Sequence, residues 1–165
     1  MTRTLTADLT LAFLTDYFGA GDLNTARDRT EFSAFKQLAS GTGADQANRV
    51  YALKLTFTAN ETKVVNVKTA NGGEDLLGQA VNLSAIKAIM IKNAGAQAYE
   101  VGGAETTPWL GFIDGATDLL NLLANGAIAA HAPSAGWAVG TDVNLQIKNL
   151  SAAAGEVHLI VVGVE

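Results

Sequence analysis

Residues Ala85 to Gly103, AIKAIMIKNAGAQAYEVGG, return in edited form near the C-terminus as Leu145 to Gly163, LQIKNLSAAAGEVHLIVVG. A motif used twice constrains the fold more than any single run, because both copies are expected to build the same unit. Each copy reads as a hairpin. In the first, Ile89, Ile91 and Lys92-Asn93 lead into Ala94-Gly95-Ala96, and Ala98 to Val101 returns to Gly102-Gly103. In the second, Leu145, Ile147 and Lys148-Asn149 lead into Leu150-Ser151-Ala152, and Val157 to Val162 returns to Gly163. β-Branched and aliphatic runs bounded by Asn, Gly and Ser are what a strand, a turn and a returning strand require. Two such units predict two sheets that face each other.

The rest of the chain keeps the period of two. Leu5, Ala7, Leu9, Leu11 and Phe13 alternate with Thr4, Thr6, Asp8 and Thr10, so Thr2 to Tyr17 reads as a half-buried strand. Gly19 to Asp28 has turn composition, and Thr30 to Leu38 returns as a second strand. Residues 1–50 therefore form an N-terminal arm or hairpin within a single domain of 165 residues. Tyr51, Leu53, Leu55 and Phe57 alternate with Ala52, Lys54, Thr56 and Thr58, and Thr62 to Thr69 follows after a turn at Asn60-Glu61. Eight to ten short strands with no convincing long helix predict an all-β fold, an antiparallel sandwich of jelly-roll type.

Charged residues are only 16% of the chain, while 29 positions are Ala and 17 are Gly, a surface suited to being covered by partners. Sixteen acids outnumber 11 bases and no basic run occurs, which argues against direct nucleic-acid binding. Cysteine is absent, so neither disulfides nor thiolate metal sites hold the fold. The N-terminus has no unbroken apolar core of a secretory signal, and Leu119 to Ala132, the nearest approach to a membrane span, is broken by Asn121, Asn125 and His131. A soluble product made in the cytoplasm is expected, with no membrane partner.

Catalytic chemistry has little to work with. His131 and His158 are the only histidines, one in an Ala-rich turn region and one at an alternate strand position. No serine sits in a nucleophile elbow, and Asp114, Asp118 and Asp142 lie near glycines where carboxylates serve turns. Gly41 and Gly43 lack the rest of a phosphate loop, and Glu74-Asp75 lacks the spaced oxygens of a calcium loop. No catalytic residue, metal ligand or cofactor is therefore expected. Trp109, Trp137 and Tyr99 fit either a sugar-stacking platform or, the favoured reading, the core or an interface.

Several short motifs in succession, Gly41-Thr42-Gly43-Ala44-Asp45-Gln46-Ala47-Asn48, Leu83 to Ile89, Val101 to Ala104, Gly136-Trp137-Ala138-Val139, Leu145 to Asn149 and Ile160 to Gly163, resemble a group of small virion proteins of tailed bacteriophages. That resemblance implies a capsid decoration, or cement, protein on the outer surface of the assembled head, with the major capsid protein as partner and a homo-dimer or homo-trimer as its own state. The contacts would come from Leu5, Leu9 and Phe13 of the N-terminal strand, from Thr42, Asp45, Gln46 and Arg49 of the following loop, and from Trp109 and Trp137. The alternative is a tail- or fibre-associated sandwich that binds a glycan receptor.

Overall fold

The computed structural model describes residues 4–20 and 25–165, with side-chain environments for 4–10 and 36–165. Twelve strands follow in order: β1 (Ala7–Ala20), β2 (Thr25–Ser40), β3 (Gln46–Ala47), β4 (Arg49–Phe57), β5 (Thr62–Asn66), β6 (Ala85–Asn93), β7 (Tyr99–Gly103), β8 (Leu119–Leu122), β9 (Ala127–His131), β10 (Trp137–Ala138), β11 (Asn144–Asn149) and β12 (Gly155–Val164). The single helical piece among the described residues is a 3-10 turn at Ala70–Gly72, where Ala70, Asn71 and Gly72 all take positive φ.

Two antiparallel sheets form the body. One has the order β4-β12-β6, with β9 and β10 both along the far edge of β6; the other has the order β5-β11-β7-β8. The chain alternates between them except at the β7–β8 hairpin and between β9 and β10: β4, β6, β9, β10 and β12 belong to the first, and β5, β7, β8 and β11 to the second. This is the connectivity of an eight-stranded jelly roll, so the expected all-β antiparallel sandwich is present. Alternation supplies the filling: Tyr51 and Phe57 of β4, Leu145 and Ile147 of β11, and Val157, Leu159 and Val161 of β12 are buried between the sheets. Phe57 meets Tyr99 edge to face at 5.2 Å, and Tyr51 donates its hydroxyl hydrogen to the Val67 carbonyl at 2.9 Å.

The repeated units are not hairpins. β6 and β7 lie in different sheets, as do β11 and β12, so each copy is an arch that carries the chain across the sandwich. Pairing occurs between the copies: β6 with β12, and β7 with β11. A strand, a turn and a strand have the same local composition in an arch as in a hairpin; which edge accepts the returning strand is decided by residues far away in sequence. Exchanging the copies exchanges the sheets, which gives the core an approximate two-fold symmetry.

The same asparagine closes both arches. Asn93 donates from Nδ2 to Gln97 O (2.5 Å) and Leu123 O (2.8 Å), while its Oδ1 accepts from Gly95 N (3.0 Å). Asn149 donates to Thr58 O (2.9 Å) and Ala153 O (2.8 Å), and accepts from Ser151 N (3.0 Å). Both side chains are fully buried and fully bonded, as burial of an amide demands.

One irregularity breaks β6. Ala88 pairs with Val162 and Ile86 with Gly163, which leaves Lys87 as the extra residue of a bulge. The bulge shifts the buried set from Ile89 and Ile91 to Ile86, a spacing of three, and carries Lys87 into the interior at 2% exposure. Gly163 is required there, since a Cβ would stand 2.5 Å from the Ala85 carbonyl oxygen.

Residues 7–40 form an arm. β1 and β2 pair antiparallel over 14 positions, from Ala7↔Leu38 to Ala20↔Thr25, and β3 pairs parallel to the end of β2. The second strand is longer, and the turn narrower, than the composition of Gly19 to Asp28 predicts. Thr2 and Arg3 of the expected first strand, and residues 21–24 of that turn, lie outside the described residues. Leu5, Ala7, Leu9 and Leu38 of the arm's base, with Ala47, pack on Val50, Ala88 and Val162, the outer face of the first sheet. This second, smaller core is separate from the one between the sheets.

Candidate interaction surfaces

The outer face of the first sheet is built in rows set by strand register. Val50, Val162, Ala88 and His131 form one row, and the arm's base covers its apolar members. The next row is Ala52, Ile160, Met90 and Ala129, also apolar but exposed or half-buried. Beyond it come Lys54, His158, Lys92 and Ala127. Lys54 and His158 hold Glu156, with contacts of 2.6 and 2.5 Å, and these two hydrogen-bonding partners keep the Glu156 carboxyl below the usual range. Lys92 has no ion-pair partner among the described residues.

Between β1 and the apolar row runs a groove of about 350 Å³, lined by Leu9 and Thr10 on one side and by Met90, Ala129, His131 and Ile160 on the other. Among the described residues β1 pairs with β2 alone, so its second edge faces this groove unpaired. Ten of the 14 register pairs, Leu11↔Ala34 to Ala20↔Thr25, continue past it.

The loop from Gly41 to Arg49 is tied down more firmly than its small, polar composition implies. The buried Lys87 ammonium donates to Ser134 O at 2.5 Å and Gly43 O at 3.4 Å, and Asp45 N donates to Pro133 O at 3.0 Å, which joins this loop to residues 133–136. Asp45 pairs with Lys36 at 2.9 Å, and Gln46 accepts from Gly43 N at 2.8 Å. Arg49 is engaged internally with Glu165 and Asp75. Of the four loop residues expected to make contacts, Thr42 alone is exposed at the tip. Asp75 itself closes its turn by accepting from Leu77 N at 2.8 Å and Gln79 N at 2.9 Å, the role of a turn carboxylate.

Trp109 is 1% exposed and donates from Nε1 to Ala138 O at 3.3 Å. Trp137 and Phe112 meet it edge to face at 6.3 and 5.8 Å, so Trp109 is a core residue and presents no ring face to a ligand. Trp137 is half-buried beside it. Leu5 and Leu9 are half-buried in the arm's base, and Phe13 pairs with Phe32 in the ladder, its side chain lying outside those described. Leu9 thus lines the groove and Leu5 packs beside it in the arm's base, whereas Trp109 is enclosed in the core. Sequence reasoning missed Lys87, whose place in a bulge has no local signal, and the row of Ala52, Ile160, Met90 and Ala129, which exists only once four strands are in register.

On the second sheet, Thr62, Glu105, Thr106, Gln146 and Lys148 line a shallow polar hollow of about 490 Å³. Among the described residues no group of three His, Asp or Glu side chains converges to hold a metal ion, and no helix is long and apolar enough to cross a membrane. No protein-family model matches the chain, and no curated protein sequence matches it.

Proposed function

We propose that this protein is a structural component of a tailed-phage virion, a decoration protein that binds the outer surface of the assembled head and ties neighbouring major capsid subunits together. The observation that carries this reading is the division of the chain into a filled jelly roll and a 14-pair arm anchored to it only at its base among the described side chains. Fourteen residues of strand span about 45 Å, longer than any strand of the sandwich, so the arm reaches neighbours that the body does not touch. Interfaces of about 1,000–2,000 Å² per copy, repeated over a lattice, clamp subunits that internal pressure would otherwise separate. A net charge of −5 favours an outer location, away from packaged DNA.

Cryo-electron microscopy of particles that carry this chain tests the reading. Density on the outer head at local or strict symmetry axes, in fixed ratio to the major capsid protein, is expected. Density at the tail, or none, overturns it and turns attention to the glycan-binding alternative. In that alternative the polar hollow, rather than Trp109, would take the sugar, since Trp109→Ala removes core and unfolds the domain whatever it binds.

A further inference from the structure

We propose that the groove beside β1 receives the distal half of β1 from a second copy of this chain, so that two copies exchange arms about a two-fold axis. Four observations lead there. The free edge of β1 runs along the groove, and its unpaired N–H and C=O groups are satisfied best by another strand. The groove's floor is Ile160, Met90 and Ala129, members of the apolar row that the arm's base does not pack on. Beyond that row lie Lys54 and His158, both paired with Glu156, and Lys92, which has no ion-pair partner among the described residues. The ten pairs of arm that continue past the groove form a two-stranded ladder, which alone in water is marginal and needs a surface to cover it.

The occupant matches the site. Residues 11–20 read LAFLTDYFGA, largely apolar with one acid and no base, and β1 as a whole carries Asp8 and Asp16 and no Lys or Arg. Arg27 and Arg29 belong to β2, which lies on the other side of β1 and stays out of the β1-to-β1 seam. An apolar, acid-bearing strand thus adds to the β1 edge and lies on the apolar floor. Antiparallel β1-to-β1 pairing places the distal half of each arm beside the base of the other. Both grooves fill at once and neither edge is left over, the self-complementarity that a two-fold interface requires. Two copies can pair this way with or without a shell beneath them, so the pairing and the capsid reading fail separately.

Sedimentation equilibrium of the purified full chain over a micromolar concentration series tests the exchange. The expected species is a dimer, and Ala129→Glu, on an exposed floor position of an edge strand, is expected to raise the dimer dissociation constant at least about tenfold by setting a carboxylate against the incoming acidic strand, with unchanged circular dichroism. A second measurement uses the cysteine-free background. Singly substituted chains, Ala129→Cys mixed with Leu14→Cys or Thr15→Cys to sample both faces of the strand, are oxidised, and one mixture is expected to give a disulfide-linked band of two chains. A monomer throughout the series, or an assembly that Ala129→Glu leaves intact and that gives no 129-to-arm cross-link, overturns the proposal.

Discussion

Replacing Asn149 with alanine tests whether the paired arches hold the sandwich together. The side chain is fully buried and makes three hydrogen bonds, two to carbonyls (Thr58 and Ala153) and one from the Ser151 amide. Alanine leaves all three backbone groups without that partner. A buried polar group left unpaired costs about 1–3 kcal/mol; Thr58 and Ala153 are exposed residues and Thr58 O keeps a long contact from Glu61 N at 3.4 Å, so the low end applies to each group and the total comes to about 3 kcal/mol. For a chain of 165 residues each kcal/mol moves the melting temperature by about 2–4 °C, so a fall of about 10 °C is expected. Urea unfolding followed by tryptophan fluorescence, at fixed protein concentration, gives the same quantity as a shift in midpoint at constant slope. Asn93→Ala should match it to within about 1 kcal/mol, because Asn93 makes the equivalent three bonds in the other arch. Asn149→Asp, which keeps the acceptor but sets a carboxylate against two carbonyls, should be at least as damaging at neutral pH. A loss below about 1 kcal/mol for Asn149→Ala would refute the reasoning, since it would mean the freed groups find solvent or other partners.

Other consequences are open to measurement. Gly155→Ala puts a Cβ 2.1 Å from the Tyr99 hydroxyl oxygen of a fully buried ring, so a loss of about 1–3 kcal/mol is expected, with partial recovery in the Gly155→Ala/Tyr99→Phe double variant; strict additivity of the two would argue against the clash. Burial pushes the Tyr51 phenol well above its ordinary value of 10.0, so the unfolded chain releases this proton first and stability should fall as pH rises past about 10; Tyr51→Phe should flatten that alkaline limb in denaturation curves. The Thr58 backbone amide and Lys63 hold Glu61 below the ordinary carboxylate value of 4.5, and Lys54 and His158 do the same for Glu156. Their contribution is present above that value and is lost as pH falls through the lowered one, so the double variant Glu61→Gln/Glu156→Gln should show a shallower acid limb in the same experiment.

Much of this fold is legible in side-chain alternation. The alternation of Tyr51, Leu53, Leu55 and Phe57 marked β4 and its buried face, because a strand with one face in a core has no other pattern available. The alternation of Leu5, Ala7 and Leu9 likewise marked a half-buried strand, and the repeat of Ile-Lys-Asn at 91–93 and 147–149 marked two equivalent units. The asparagines could have been read further: an Asn at the same place in both copies, next to aliphatic residues, is the signature of a buried amide that closes a turn.

What the chain alone determined was strand character and the likeness of its two repeated segments. Tertiary structure decided whether each unit became a hairpin or an arch, where Trp109 went, which neighbour Lys87 bonded and which residues line the groove. The physical reason is range. Alternation is set by neighbours two residues apart, so it is written locally. Strand partnership, the bulge at Lys87 and the row of Ala52, Ile160, Met90 and Ala129 depend on register between segments tens of residues apart, and that register is selected only when the whole core packs.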